Sequence, residues 1–299
     1  MAAEITATGV VATTDQRTAA DTAPRRPSRR RRRIGSYALL TFSAVVVLLP
    51  VYVTIVLAIQ PGNAALTFPR ALIPADLDLG VFARAFDLTN LQRYLVNSAI
   101  VALLITAAQV VTSILAAYAF AELRFPGRNA LFVAFLATLM IPAEVTIVAN
   151  FDTIVWLGWL DSYQGLVVPF MATAFGTFLI RQSFMGIPQD LRDAARLDGY
   201  GHLGFLWSVA VPLARPAIAA LSVFSFLAAW NQYLWPLLVT NDDDLRTVQI
   251  GLKALTSTNV DDLNLVFAGT IIAAVPIFVL LIAFQKHLVR GLTSGAVKG

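Results

Sequence analysis

Apolar residues along this chain fall into six windows, 37–59, 93–121, 129–149, 162–184, 212–239 and 263–284, separated by stretches that carry most of the charges. Each window reaches the roughly 20 residues that a helix needs to cross about 30 Å of hydrocarbon. A segment inside a bilayer must satisfy its own backbone N–H and C=O groups, which a helix does and an isolated strand does not. The pattern predicts an all-α, polytopic membrane protein with six transmembrane helices.

Between the fourth and fifth windows lies a polar stretch at 187–216, IPQDLRDAARLDGYGHLGFLWSVAVPLARP. Pro188 suits the first turn of a helix, and Gln189, Asp190 and Asp193 lie near the positive end of its dipole. Gly199 supplies a left-handed stop. Within the helix, Ile187, Leu191, Ala194, Ala195 and Asp198 recur at spacings of three or four, which predicts one face with small residues at its centre, able to lie closely in a groove. A second short helix from about Gly201 carries the chain back, and Pro212 and Pro216 mark the start of the next span.

Composition supports the membrane assignment. With 58% hydrophobic and 13% charged residues and a mean hydropathy of +0.71, the chain has too little polar surface to coat a soluble globule. Charge then sets the orientation. Seventeen of the 22 Lys and Arg lie in the N-terminal segment, around 124–128 and 181–215, and after the last window; the five others are Arg70, Arg84, Arg93, Arg246 and Lys253. By the positive-inside rule both termini and the 187–216 loop face the cytoplasm.

The first 34 residues are rich in Ala, Thr and Arg without apolar periodicity and are expected to be disordered. Their RRPSRRRRR run acts as a topology determinant that also sits on anionic lipid headgroups. No folded domain or interleaved aromatic residues accompany it, so it does not indicate nucleic-acid binding. As an export signal it is disfavoured, because the apolar segment behind it is too long and has no small-residue cleavage site.

Absences narrow the chemistry. There is no Cys, which excludes disulfides, thiolate nucleophiles and zinc–sulfur sites. The two histidines, His202 and His287, lie far apart at membrane edges and make no metal site. A phosphate-binding P-loop needs a Gly immediately before its Lys. Lys253, Lys286 and Lys298 follow Leu252, Gln285 and Val297, so the chain carries no ATP site, and no metal or cofactor is expected in it.

Polar groups inside the windows are candidates for a translocation pathway. Glu144, beside Pro142 near the outer end of the third window, is costly in hydrocarbon and should face a cavity or a partner. Asn97, Gln109, Asn231, Gln232 and Tyr233 can hydrogen-bond hydroxyls, and Trp230 or Trp235 can stack on a sugar face. Interhelical packing or an interfacial aromatic belt is the competing role for each. Two acidic groups, Asp242 to Asp244 and Asp261 with Asp262, fall in outer loops; they read as solvated charge or as a docking surface for an extracytoplasmic protein.

DAARLDG followed by VAVP resembles the "EAA" loop of ABC-importer permeases at Asp193, Ala194, Ala195, Gly199, Val209, Val211 and Pro212, with Asp193 standing where the motif has Glu. SFLAAWNQYLWPLL, FGTFLIRQSF and VRGLTSGAVKG are similar to carbohydrate-uptake permeases of the MalG type, and WNQYLWPLL to those serving sn-glycerol-3-phosphate import. The resemblance implies one of two homologous permease subunits, paired with an ATPase dimer that holds ATP and Mg and with an extracytoplasmic solute-binding protein. It also implies that Leu191, Asp193, Ala194, Ala195, Asp198 and Gly199 couple to the ATPase, while residues 291–299 form a tail reaching into the ATPase interface. The implied organisation is a tail at 1–34, a permease domain at 35–290 with its coupling loop at 187–212, and the tail at 291–299.

Two other classes compete with this one. A secondary transporter of a small polar solute should show internal repeats, discontinuous helices or intramembrane ion-coupling residues, of which Glu144 is the one visible candidate. A membrane enzyme needs a catalytic constellation, and no His, Cys or paired-carboxylate cluster provides one.

Overall fold

A computed structural model describes residues 29–62, 73, 77–87, 89–255 and 263–293, the side chains of 29–34, 143 and 286–293 excepted. Among the described residues every regular element is helical. The chain divides into two units at Val51 and Tyr52. The first contributes most of α1, Arg29–Ala58, whose side chains from Tyr37 to Val51 stay exposed although most are apolar, as suits a helix meant for hydrocarbon. It begins at Arg29, inside the segment expected to be disordered; Arg is a good helix former, so the Arg run extends the apolar helix outward. Residues 1–28 of the expected tail lie outside the described residues.

The second unit starts with the last turns of α1 and adds α2 (Val81–Asp87) and α3 (Leu91–Glu122), then α4 (Arg128–Ala137), α5 (Ala143–Trp156), α6 (Tyr163–Val167) and α7 (Ala174–Met185). The polar loop follows as α8 (Gln189–Leu197), α9 (His202–Phe205) and α10 (Val211–Leu213), the last two joined by a π-helical turn at Leu206–Ala210. Then come α11 (Arg215–Trp230), α12 (Leu234–Val239), α13 (Val248–Leu255) and α14 (Leu263–Thr293). Because α14 runs on to Thr293, the expected C-terminal tail from Gly291 begins inside a helix, and 294–299 lie outside the described residues.

Among the described residues, three helices, in α1, α3 and α14, are long and apolar enough to cross a membrane unbroken, and three bent pairs bring the number of spans to as many as six. The six spans that the sequence pattern predicted are thus accommodated, three of them as bent pairs. The third window turns by 98° between α4 and α5, the fourth by 47° between α6 and α7, and the fifth by 77° between α10 and α11. Proline accounts for the positions: Pro142 caps α5, Pro169 lies just before the second break and Pro216 opens α11. Each removes a backbone donor and restricts the residue before it. The third span also runs on to Trp156, beyond its expected end near Ala149, and the fifth window is interrupted again at 231–233.

α3 is the central element, packing on α7 and α11, while α11 in turn packs on α14. One half of α3 enters a core with Leu166, Trp230, Trp235, Val248 and Ala268. Its other half, at Ile114, Ala117 and Tyr118, enters a second core with Ile180, Phe184, Phe205 and Leu206. Polar side chains of α3 also satisfy groups freed at the bends. Gln109 Nε2 donates to the Phe170 carbonyl at 2.8 Å, and Thr112 Oγ1 to that of Met171 at 2.9 Å. Gln109 Oε1 in turn accepts from Ser225 Oγ of α11 at 2.6 Å, so one amide ties three spans together.

Close backbone approach is needed at Gly165, where a Cβ would lie 2.3 Å from the Trp159 carbonyl oxygen, a backbone atom that cannot swing aside. Gly165→Ala is expected to lower stability by about 1–3 kcal/mol, read from thermal unfolding in detergent. Gly35→Ala, where a Cβ meets nothing within 4 Å, should leave the transition within about 0.5 kcal/mol of the parent.

Candidate functional site: the α8 loop and the cavity at the helix breaks

The α8 helix is closed by its own backbone. Pro188 caps its start with extended geometry, and at its end Gly199 has φ +82°. The Tyr200 amide donates to the Ala195 carbonyl at 2.9 Å and the Gly199 amide to that of Arg196 at 3.1 Å. Those two bonds form the Schellman arrangement, and they satisfy carbonyls that the helix end leaves free.

The two small residues at its centre part company. Ala195 is 5% exposed and packs into the second core together with Ile187, whereas Ala194 is exposed. Successive helical residues point about 100° apart, so one of two adjacent alanines can pack inward while the other stays exposed. The outward surface carries Ala194, Leu191 at 42% exposure and Leu197 at 89%, with Asp190, Asp193 and Asp198 around them. Asp193 Oδ1 accepts from Gln189 Nε2 at 3.1 Å and from Arg196 Nη1 at 3.3 Å, so this carboxylate is engaged within its own helix.

Arg192 anchors α8 to the bundle. Its Nη2 lies 2.9 Å from Glu122 Oε1 at the end of α3 and donates to the Phe184 carbonyl of α7 at 3.0 Å; its Nε donates to the same Glu122 oxygen at 3.1 Å. Both side chains are largely buried, 18% and 12% exposed. Beside them Tyr118 Oη lies 3.1 Å from Nδ1 of His202, and Phe184 meets the Tyr118 ring edge-on. Neither Arg192 nor Glu122 emerges from the sequence as a site residue, because the pair joins positions 70 residues apart and a single sequence shows no partner for either.

The pathway candidates separate into two groups. Glu144, Gln232 and Tyr233 line one cavity of about 290 Å³ with Asn150, Phe170 and Trp235. Three interruptions of the chain meet there: Glu144 stands in the first turn of α5, Phe170 before the second bend, and Gln232 and Tyr233 between α11 and α12. Glu144 thus sits at the bend of the third span rather than near its outer end. Gln232 Oε1 is buried without a hydrogen-bond partner.

Asn97 and Asn231 lie elsewhere. Asn97 is fully buried, donates to the carbonyls of Asp244 and Arg246 at 2.7 and 2.9 Å, and accepts from Tyr163 Oη at 2.8 Å. Asn231 donates to the Leu227 carbonyl at 2.8 Å and accepts from Gln249 Nε2 at 3.3 Å. Of the two tryptophans, Trp230 is buried at 2% exposure against Phe226, and Trp235 donates through Nε1 to the Gly165 carbonyl at 3.0 Å.

The acidic group at 242–244 is part of a fastening rather than free loop charge. Asp243 accepts from Tyr94 Oη at 2.7 Å, Asn90 Nδ2 at 2.9 Å and Arg246 Nη1 at 3.0 Å. Ser98 Oγ accepts from the Val248 amide at 2.8 Å. The Tyr94 hydroxyl, with Asn90 and Arg246 behind it, holds the Asp243 carboxyl below its ordinary value of 3.8 despite partial burial. Across the loop, the Asp242 amide does the same for Asp161, which has φ +50°. Asp261 and Asp262 lie outside the described residues.

Residues 109–294 match the family described as "Binding-protein-dependent transport system inner membrane component". The chain is similar to the sn-glycerol-3-phosphate transport system permease protein UgpE of Yersinia pestis, 37% identical over 272 residues that cover 87% of this chain and 95% of the relative. The protein of the same description from Escherichia coli O157:H7 is 38% identical over 267 residues, with the same coverage of both chains. Among solved structures the fold is similar to a chain of a bacterial ABC transporter involved in the import of the acidic polysaccharide alginate. That match has a TM-score of 0.76 and 24% identity and covers 89% of this chain and all of that one. A chain of the alginate transporter in complex with alginate pentasaccharide-bound periplasmic protein gives a TM-score of 0.63 at 16% identity, covering 88% of this chain and 96% of that one.

Arg192→Gln should cost about 1.5–3 kcal/mol, the worth of hydrogen bonds to a charged group, by leaving the Glu122 carboxylate without its cation. It should also speed hydrogen exchange in α8 more than in α11; equal protection of α8 in the variant counts against the anchor. The outer fastening gives a pH dependence. A carboxyl depressed in the folded state contributes stability above its unfolded value of about 4, and loses it as pH falls through the lower folded value. Unfolding temperature should therefore fall from about pH 5 to about pH 3, and fall less in Asp243→Asn.

Proposed function

The chain belongs to the family of binding-protein-dependent transport system inner membrane components, and from that premise we propose that it is one permease subunit of an ABC importer for a carbohydrate, polyol or glycerol phosphate, driven by a separate ATPase through α8. The observation that carries the coupling assignment is the exposure of Ala194, Leu191 and Leu197 on a helix that Ala195 and the Arg192–Glu122 pair hold against the bundle. An exposed apolar surface on a polar loop marks an interaction site. In the proposed orientation this loop and both termini are cytoplasmic, in keeping with the distribution of Lys and Arg.

The mechanism follows from what α8 is fastened to. ATP binding, with Mg, takes place on the partner ATPase dimer; its closure displaces α8, and Arg192 passes the displacement to α3 through Glu122 and to α7 through the Phe184 carbonyl. Gln109 and Thr112 connect α3 to the second bend and α11, which border the cavity at Glu144. A shift between inward and outward states requires contacts that differ between them, and these polar links are the candidates to exchange. A second, homologous permease completes the pathway, and an extracytoplasmic binding protein delivers cargo to the face where 240–248 is fastened.

The relatives' names point to sn-glycerol-3-phosphate and the similar solved structure to alginate import. Glu144 is the one charged group lining the cavity. Hydroxyl groups of a cargo fit beside it better than a phosphate, which it would repel. Asn150, Gln232 and Tyr233 supply the complementary donors and acceptors, and Phe170 and Trp235 the apolar walls.

Discontinuous helices, one mark of the competing secondary-transporter reading, are present here in three spans. They do not separate the two readings; family membership does, and it favours the importer.

Ala194→Glu combined with Leu197→Glu should lower uptake and ATPase co-purification by about tenfold or more while leaving membrane abundance and unfolding temperature near the parent's. Gly199→Pro should also abolish uptake. Normal uptake in the double variant, or ion-driven uptake by the chain without any ATPase, would sink the assignment.

A further inference from the structure

We propose that the turn between α3 and α4 is a headgroup site for an anionic phospholipid, with the lipid phosphate held between Arg124 and Arg128. The turn is LRFPGRN, residues 123–129. It bounds an open hollow of about 490 Å³ lined by Arg124, Phe125, Gly127, Arg128, Asn129 and Ala130.

Positive charge is concentrated there without a carboxylate. Ion pairs among the described residues join Arg84 to Asp78, Arg192 to Glu122, Arg196 to Asp193 and Arg246 to Asp243. None involves Arg124, Arg128 or Arg181. Glu122, the nearest acid in sequence, is already held by Arg192. Arg128 directs Nη1 to the Leu123 carbonyl at 3.0 Å, which fixes the guanidinium against the turn and leaves its other N–H groups for a ligand. Arg181 of α7 lies 4.1 Å over the Phe132 ring of α4 and donates to the Phe120 carbonyl at 3.2 Å, which brings a third cation to the packed ends of α3 and α4. Like charges held together this way favour an anion between or beside them.

Backbone geometry adds donors. Gly127, with φ +77°, turns the chain into α4 without a side-chain cap. The first-turn amides of Asn129 and Ala130 have no carbonyl four residues back in the helix, and both residues line the hollow. These amides alone would not make a site; the arginines give it charge and its depth gives it a source of ligand.

Position selects the ligand. The hollow lies where span α3 ends at Glu122 and the next span begins at Arg128, which is headgroup depth in any multi-pass arrangement of these helices. Phe125, 36% exposed and 6.3 Å from the Phe120 ring, sits beside the arginines as an aromatic residue of the interface. A phosphodiester with acyl chains matches both the basic hollow and its apolar border, whereas free phosphate matches only the first. This inference needs only that α3 and the α4–α5 pair cross the membrane, so it survives if the coupling reading fails.

The test uses the assembled transporter in lipid nanodiscs containing phosphatidylglycerol with a photoreactive headgroup, followed by mapping of the labelled peptides. Labelling should concentrate in the peptide spanning 120–135, and Arg124→Gln should reduce it there about fivefold, the effect expected for one basic residue at an anionic surface. Arg124 makes no hydrogen bond that its replacement would remove, so folding should be unaffected. Replacing Arg29 and Arg30 should leave this peptide's labelling unchanged. Equal labelling by phosphatidylcholine carrying the same probe, or no change in Arg124→Gln, overturns the site. Loss of labelling in excess inorganic phosphate shows a soluble-anion site and overturns the lipid assignment.

Discussion

A helix that breaks at membrane depth must find partners for the backbone groups it frees, because hydrocarbon offers none. Three of the six spans here are bent, and the arrangement holds together because α3 is unbroken and carries polar side chains where its neighbours need them. Gln109 and Thr112 serve the bend before α7, and Asn97 and Ser98 hold the loop that follows α12. The break after Trp230 is met from a different side, by Gln249 of α13. Removing α3 would leave carbonyls and amides unpaired as well as opening two apolar cores.

The polar side chains of α3 explain how a chain with so few charges can be stiff in one place and yielding in another. Near its second end, the Arg192–Glu122 pair joins the α8 loop to the bundle through a charged, multiply bonded contact, the kind that tolerates little change in geometry. At the bends, contact is through single neutral hydrogen bonds, each contributing about 1 kcal/mol net. In the proposed importer, a displacement entering at α8 would be passed on with little slack and absorbed where the spans are already discontinuous, beside Glu144, Gln232 and Tyr233.

Much of the architecture was legible in the sequence for a physical reason: the hydrophobic window of a span is set by bilayer thickness, which the chain cannot evade. The Gly199 stop was equally legible, since a left-handed residue at a helix end has few alternatives to glycine. What escaped was information that depends on two distant segments. The bends were signalled by Pro142 and Pro216, yet proline alone does not say whether a span kinks or simply starts there. Asn97, a pathway candidate, has its amide engaged by the Asp244 and Arg246 carbonyls and by Tyr163, and a buried amide reads the same in sequence whether it faces cargo or carbonyls. The faces of Ala194 and Ala195 were merged by a spacing argument, although their neighbouring positions place them on different sides of α8. The α2 and α13 helices were missed because each is a single stretch of seven or eight residues, too short to register as a membrane window.

Asp193 stands where the motif that this loop resembles has Glu, and its carboxylate is already engaged by Gln189 and Arg196 of the same helix. In the proposed importer, recognition of the motor subunit then rests on the shape of Ala194, Leu191 and Leu197 more than on a charge that the motor must neutralise. Shape of this kind is shared more readily among homologues than a matched charge. In the proposed importer such a loop is suited to interchange, with one motor fitting more than one permease.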